Sequence, residues 1–104
     1  MYWWGKKKRL LIEFAAEVAE ELYQRVPPEI VEKHLSGKNK KATRRFDAAV
    51  DNAIARIADF RSKNKPGVYG KAKIFQVFTQ RLKELGYPEE LVDDINTFII
   101  TKNP

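Results

Sequence analysis

The sequence lacks cysteine, and this absence excludes several classes of chemistry at once. Without thiols the chain has no disulfide, no thiolate nucleophile and no sulfur ligands for zinc or an iron–sulfur cluster. Histidine is nearly absent too, since His34 is the single one. An imidazole with no Cys or second His as partner favours an ordinary helix-end side chain over a metal ligand or proton shuttle. We therefore expect no metal and no cofactor.

Motifs for other kinds of catalysis are also missing. The two serines, Ser36 and Ser62, lie in polar segments without the Gly-x-Ser-x-Gly pattern of a hydrolase elbow. Acidic pairs such as Glu20-Glu21 and Asp93-Asp94 occur without the Glu-x-x-His spacing of a di-metal bundle. Such pairs are typical of solvated helix faces. The sequence therefore predicts that the protein is not an enzyme.

Long apolar runs are absent as well. No stretch approaches the roughly 20 apolar residues that a membrane span requires. Basic residues at 6–9 followed by apolar residues at 10–12 begin like a signal peptide. Glu13 and Glu17 then interrupt the apolar part, and no small-residue cleavage site follows. We expect an uncleaved, cytoplasmic protein.

The composition that remains is typical of one small folded domain with a basic surface. The 104 residues are 43% hydrophobic and 33% charged, which favours a single domain, 1–104, over a disordered chain. Twenty Lys and Arg oppose fourteen Asp and Glu, so the net charge is +6. A charge of that sign favours attraction to nucleic acid, anionic lipid or acidic proteins.

Hydrophobic periodicity predicts an all-α fold, a compact bundle of four or five helices with short loops. Pro27-Pro28 ends the first helix, Gly86 is the expected C′ residue of the fourth, and Pro88 suits the start of the fifth. The predicted helices span 6–25, 28–35, 43–63, 70–85 and 88–101, after an aromatic tail at 1–5. The apolar positions expected to face the core are Leu11, Phe14, Ala15, Val18, Leu22, Ile30, Val31, Phe46, Val50, Ile54, Ile57, Phe60, Ile74, Phe75, Phe78, Leu82, Leu85, Leu91, Val92, Ile95, Phe98 and Ile99.

Positive charge is concentrated in three runs without acids, at 6–9, 38–45 and 61–73. Each run lies at or just before a predicted helix start, where the helix dipole disfavours a cation by ~0.3–1 kcal/mol. Since fold stability alone would favour acids there, the runs predict an anionic partner. An up-and-down bundle would put the first and third helix starts at one end and the fourth at the other.

The segment Gly67-Val68-Tyr69-Gly70 allows two interpretations. The two glycines and the helix-start amides at Thr43 and Gly70 would suit a phosphate-binding nest. Alternatively, the segment is a Pro-Gly turn that packs Val68 or Tyr69 into the core. The candidate anion-binding residues are Lys63, Lys65, Gly67, Tyr69, Gly70, Lys71 and Lys73, with Lys40, Lys41, Arg44 and Arg45 from the second run.

Two adjacent tryptophans stand directly before the first basic run. The resulting candidate interaction anchor consists of Trp3, Trp4, Lys6, Lys7, Lys8 and Arg9. Tryptophan beside a polybasic run is typical of an interfacial membrane anchor, and tryptophan also stacks on nucleobases or fills a groove on a partner protein. The alternative is that the tryptophans fold back onto the bundle.

These patterns predict a small, basic, helical binding protein that engages an anionic partner such as nucleic acid. A second hypothesis is a protein–protein adaptor or homodimer, with the tryptophans as anchors. Its acidic last helix (Glu89, Glu90, Asp93, Asp94) would meet a basic run of another chain. A third hypothesis is peripheral attachment to an anionic membrane through residues 2–12.

Overall fold

The computed structural model describes residues 2–35 and 40–102, with side chains described at 8–31, 44–67 and 69–101. Within those residues the chain forms five α-helices and no strand. They are α1 Tyr2–Arg25, α2 Pro28–Leu35, α3 Lys40–Asn64, α4 Gly67–Glu84 and α5 Glu89–Lys102. The predicted all-α bundle is confirmed.

Three helices begin earlier than the sequence predicted. The segment expected to be a tail is helical from Tyr2, because Tyr, Trp and Lys tolerate a helix and one glycine costs only ~1 kcal/mol. Helix α3 begins at Lys40, so Thr43 is an interior residue and not the helix start that the sequence predicted. Helix α4 begins at Gly67, three residues before the predicted start.

Helices α1 and α4 pack against each other in parallel. Leu11 of α1 lies against Gly70 near the start of α4. Further along both helices, Arg81 donates a hydrogen bond to Glu20 at 2.7 Å. Because both sequence positions rise together, the two helices begin at the same end of the bundle. The prediction that the fourth helix begins at the opposite end from the first is therefore wrong. The shared end predicted for the starts of the first and third helices is also wrong, because α3 runs antiparallel to α1.

Helix α3 runs antiparallel to α1 and is displaced along it. The Phe14 and Phe60 rings stack with centroids 4.0 Å apart, and Arg56 pairs with Glu17 at 3.6 Å and with Glu21. This register carries the first residues of α3 roughly 15 Å beyond the end of α1, at ~1.5 Å per residue. The displacement explains why the bundle is elongated, at 50 × 23 × 20 Å.

One apolar face of each helix meets in a common core, as predicted. The largest fully buried side chains are Leu11, Val18, Leu22, Val26, Val31, Ile57, Ile74, Phe78, Leu82, Val92 and Ile99. Complete burial of one such side chain is worth ~1.5–3 kcal/mol. Phe98 is an exception, because it is 44% exposed where the periodicity placed it inward. Ile30, Ile54 and Leu85 are only partly buried.

The corner between α4 and α5 is joined to the end of α1. Gly86 has φ 100°, and the N–H groups of Gly86 and Tyr87 donate to the carbonyls of Lys83 and Leu82 at 3.1 and 3.2 Å. These bonds form a Schellman motif, which confirms Gly86 as the C′ residue. The buried Tyr87 hydroxyl donates to the Val26 carbonyl at 2.5 Å. Tyr87 thus links two corners that are 61 residues apart.

Burial, followed by the nearby Tyr23 phenol, raises the pKa of Tyr87 above its ordinary value near 10. A pKa that is higher in the folded than in the unfolded state stabilises the fold fully below pH ~10. This contribution is lost as the pH rises above that value. We expect Tyr87→Phe to lower the free energy of unfolding by ~1 kcal/mol at pH 8, through loss of the hydrogen bond.

The same variant is expected to lose less stability than the wild type between pH ~9 and ~11.5, because phenylalanine does not ionise. Urea denaturation across this range measures both effects. Tyr69→Phe is the matched control, because it removes the same hydroxyl group from a tyrosine that is 62% exposed. If Tyr87→Phe and the wild type lose the same free energy of unfolding between pH ~9 and ~11.5, the prediction is contradicted.

Candidate anion-binding end of the bundle

Two of the three basic runs meet where α1 and α4 begin and α3 ends, here called the basic end. Four of its described cations are exposed (Lys8, Arg9, Lys63 and Lys65), and three are partly exposed (Arg61, Lys71 and Lys73). The parallel packing of α1 and α4 produces this convergence, since it brings the run at 6–9 beside the run at 61–73.

The start of α1 reaches past the rest of the bundle. Lys8 and Ala15 are seven residues apart and therefore lie on the same face of α1. Ala15 is fully buried, whereas Lys8 is exposed. The cover provided by the neighbouring helices therefore ends between these two residues. Since Leu11 is level with Gly70, the backbone of residues 2–7 extends roughly 9 Å beyond the start of α4.

Only part of the predicted interaction anchor falls on described side chains. Lys8 and Arg9 are exposed on α1, as an anchor requires. The backbone of Trp3, Trp4 and the two following lysines, Lys6 and Lys7, lies in the first two turns of α1, and their side chains lie outside the described residues. Their contribution to an anchor stays a prediction.

The helix-dipole argument for a ligand applies in full only to the run at 38–45, because α3 begins at Lys40. Because α1 begins at Tyr2, Lys6 lies beyond the first turn, where the dipole no longer acts strongly. Arg61 and Lys63 lie in the last turn of α3, where a cation is favourable, and Lys63 also pairs with Asp59 at 3.2 Å. Local helix electrostatics therefore account for part of the third run without any ligand.

The turn between α3 and α4 has an unusual backbone. Lys65 has φ 43° and Gly67 has φ 75°, a region that favours glycine. A Cβ at Gly67 would find no atom within 4 Å, so this position is open to a partner. Since α4 begins at Gly67, its helix-start amides belong to residues 67–69, one turn earlier than predicted.

Gly70 has a packing role in the folded chain. A Cβ added there would lie 2.4 Å from the Pro66 Cβ and 3.3 Å from the Leu11 Cδ1. Gly70 thus allows α1 to approach the first turn of α4, and it faces inward, away from any phosphate. Tyr69 is 62% exposed, so the alternative in which Tyr69 packs into the core is excluded.

The second basic run lies far from the other two. Lys40 and Lys41 are in the first turn of α3, and Arg44 and Arg45 are exposed in the next. The side chains of Lys40 and Lys41 lie outside the described residues. From Arg45 to Lys63, α3 rises roughly 27 Å, so these residues occupy the opposite part of the bundle.

Acidic residues of α1 hold the neighbouring helices instead of facing only solvent. Arg81 of α4 binds Glu20, and this hydrogen bond, with Coulombic attraction from Glu20 and Glu84, raises the pKa of Arg81. Arg56 of α3 pairs with Glu21, on the other side of α1. These pairs use cations in the middle of the bundle, whereas the cations of the basic end point outward.

Sequence reasoning missed a groove between α3 and α5. It has a volume of about 530 Å³ and is here called the acidic groove. Its lining consists of Phe46, Asp47, Val50, Asp51, Leu91, Asp94, Ile95 and Phe98. The i, i+4 spacings of Asp47 with Asp51 and of Asp94 with Phe98 were visible in the sequence, but the pairing of α3 with α5 was not.

Two kinds of feature are absent from the residues that the structure describes. No cluster of three or more His, Asp or Glu side chains suited to hold a metal ion occurs among them. Over its described residues, none of the helices has both the length and the apolar character that crossing a bilayer requires.

We expect Gly70→Ala to lower the free energy of unfolding by ~1–3 kcal/mol, because the added methyl group overlaps Pro66 and crowds Leu11. Urea denaturation measures the change. A double-mutant cycle with Pro66→Gly separates this steric effect from helix propensity, which favours alanine. The double variant should lose less stability than the two single losses combined. Strict additivity, or stabilisation by Gly70→Ala alone, would contradict the assigned packing role.

Comparisons of this chain with protein-family models, with curated proteins and with solved structures find no match.

Proposed function

We propose that this protein is a non-enzymatic binding protein that engages the phosphate backbone of a nucleic acid through its basic end. The observation that carries the proposal is the convergence of two basic runs from different helices at one end. Cations that meet in this way create a local positive potential greater than the net charge of +6 alone would suggest.

The surroundings of these cations also support a polyanionic partner. Tyr69 presents an exposed aromatic ring beside them, and such rings stack on unpaired bases with little sequence preference. Leu10 and Ile12 are 44% and 36% exposed near the same end and add apolar contact surface. Lysine and arginine beside an aromatic ring are the usual composition of a surface that follows a single strand.

Nucleic acid fits this surface better than a membrane does. An interfacial helix must lie in the bilayer plane with its apolar face in the lipid. The apolar face of α1, which includes Leu11, Phe14 and Val18, is buried in the bundle. Helix α1 would have to leave the bundle to lie on a membrane, whereas phosphates reach the exposed cations without any change of fold.

Two variants with equal change of charge test the proposal. Lys8→Gln/Arg9→Gln removes two cations at the basic end, and Arg44→Gln/Arg45→Gln removes two at the opposite part of the bundle. Fluorescence anisotropy with a labelled single-stranded oligonucleotide at several salt concentrations gives the affinity and its salt slope. We expect the first variant to reduce the slope by about 1.4, which corresponds to two lost phosphate contacts.

The control variant, with Arg44 and Arg45 replaced, should keep the slope of the wild type. Equal losses in both variants would indicate diffuse attraction to the whole chain and would overturn the assignment to the basic end. Absence of salt-sensitive binding to single- and double-stranded DNA and RNA would overturn the nucleic-acid function. Binding to phosphatidylserine vesicles alone would replace it with membrane attachment.

A further inference from the structure

The acidic groove combines an apolar floor with a negatively charged rim. Phe46, Val50, Leu91 and Ile95 form the floor and are almost fully buried, and Phe98 adds a half-exposed ring at its edge. The volume of about 530 Å³ lies within the ~300–1,000 Å³ range of pockets that hold large apolar groups. The floor alone would suit many apolar ligands.

The rim restricts the choice of occupant. Asp47, Asp51 and Asp94 are exposed around the groove, in a chain whose net charge is positive. Within the described part of the chain, none of these three carboxylates takes part in an ion pair. An apolar groove with three carboxylates at its rim is complementary to a segment that carries large apolar side chains and several cations.

The chain itself contains one segment of this composition, residues 2–9. It contains Trp3 and Trp4 followed by four consecutive basic residues. Its backbone is the start of α1, and the backbone of residues 2–7 extends beyond the start of α4. Tryptophan is also the residue most often found as an energetic anchor of protein interfaces.

A molecule cannot fill its own groove with this segment. The register of α1 with α3 places the α3 wall of the groove roughly 30 Å along the bundle axis from residues 2–7. Helix α1 is continuous from Tyr2 to Arg25 and cannot fold back over that distance. Any occupation of the groove by residues 2–9 is therefore intermolecular.

We propose that the acidic groove of one molecule binds residues 2–9 of a second copy, so that the protein associates head to tail. This interface joins two different surfaces, so repeated association builds rings or open chains of molecules. The inference goes beyond the proposed function, although residues 8 and 9 take part in both. Occupation of the groove therefore competes with nucleic acid for the same end.

Two complementary variants test this interface. The groove variant is Asp47→Asn/Asp51→Asn/Asp94→Asn, and the segment variant is Trp3→Ala/Trp4→Ala/Lys6→Gln/Lys7→Gln. By sedimentation equilibrium at low salt, the wild-type mass should increase with concentration, and each variant alone should associate about tenfold more weakly. An equal mixture of the two should form only a dimer, because one intact groove and one intact segment remain.

A charge-matched control isolates the groove. Glu13→Gln/Glu90→Gln/Asp93→Asn removes three exposed carboxylates that do not line the groove and should associate as the wild type does. A wild-type protein that remains monomeric up to ~0.5 mM, well above a micromolar Kd, overturns the proposal. It is also overturned if the groove variant associates normally or the mixture stays monomeric.

A peptide experiment does not depend on assembly. The segment variant contains no tryptophan, so the emission of a synthetic peptide of residues 1–12 reports its own binding. We expect a blue shift on addition of the segment variant and about tenfold weaker binding after the three groove Asp→Asn changes are added. No shift, or a shift insensitive to these changes, counts against the groove. The groove variant should still bind nucleic acid, so failure here and failure of the proposed function are distinguishable.

Discussion

The close approach of α1 to the start of α4 is the contact on which the arrangement of the other elements depends. Leu11 can reach α4 only because Gly70 has no side chain, and Pro66 already occupies the space that a Cβ would need. This contact fixes α1 and α4 in parallel, and it determines which helix ends, and therefore which charges, lie together. The hydrogen bond from Tyr87 to Val26 holds the same pair of helices at their other end.

The helices and most of the core could be predicted from the sequence, because a 3.6-residue apolar period needs only local information. Residues such as Leu11, Ile57 and Phe78 are buried as that pattern indicates. The arrangement of the helices could not be predicted in this way. Helix α2 is short and lies between α1 and α3 in the sequence, and an up-and-down rule that treats every helix as a full-length element assigns the wrong directions to α3 and α4 relative to α1.

The sequence was enough to predict which basic residues belong to the candidate site. It was not enough to predict which of them lie together on one surface. Charge runs are visible in any sequence, but their meaning depends on the exact helix ends. A shift of four residues in the start of α1 moves the run at 6–9 out of its first turn, and a shift of three residues in the start of α3 places Lys40 and Lys41 in its first turn. Phe98 illustrates the same limit, since its position on the apolar face is correct but α3 and α5 separate before they cover it.

The parallel pairing of α1 with α4 also affects how the chain can fold as it is synthesised. The partner that covers one side of α1 lies about 60 residues later, as the pair of Glu20 with Arg81 shows. Helix α1 leaves the ribosome first and keeps this apolar side exposed until α4 has followed it. Contacts of such large sequence separation slow folding relative to a bundle of successive hairpins. The arrangement that gathers the positive charge thus also prolongs the time during which the nascent chain depends on protection from aggregation.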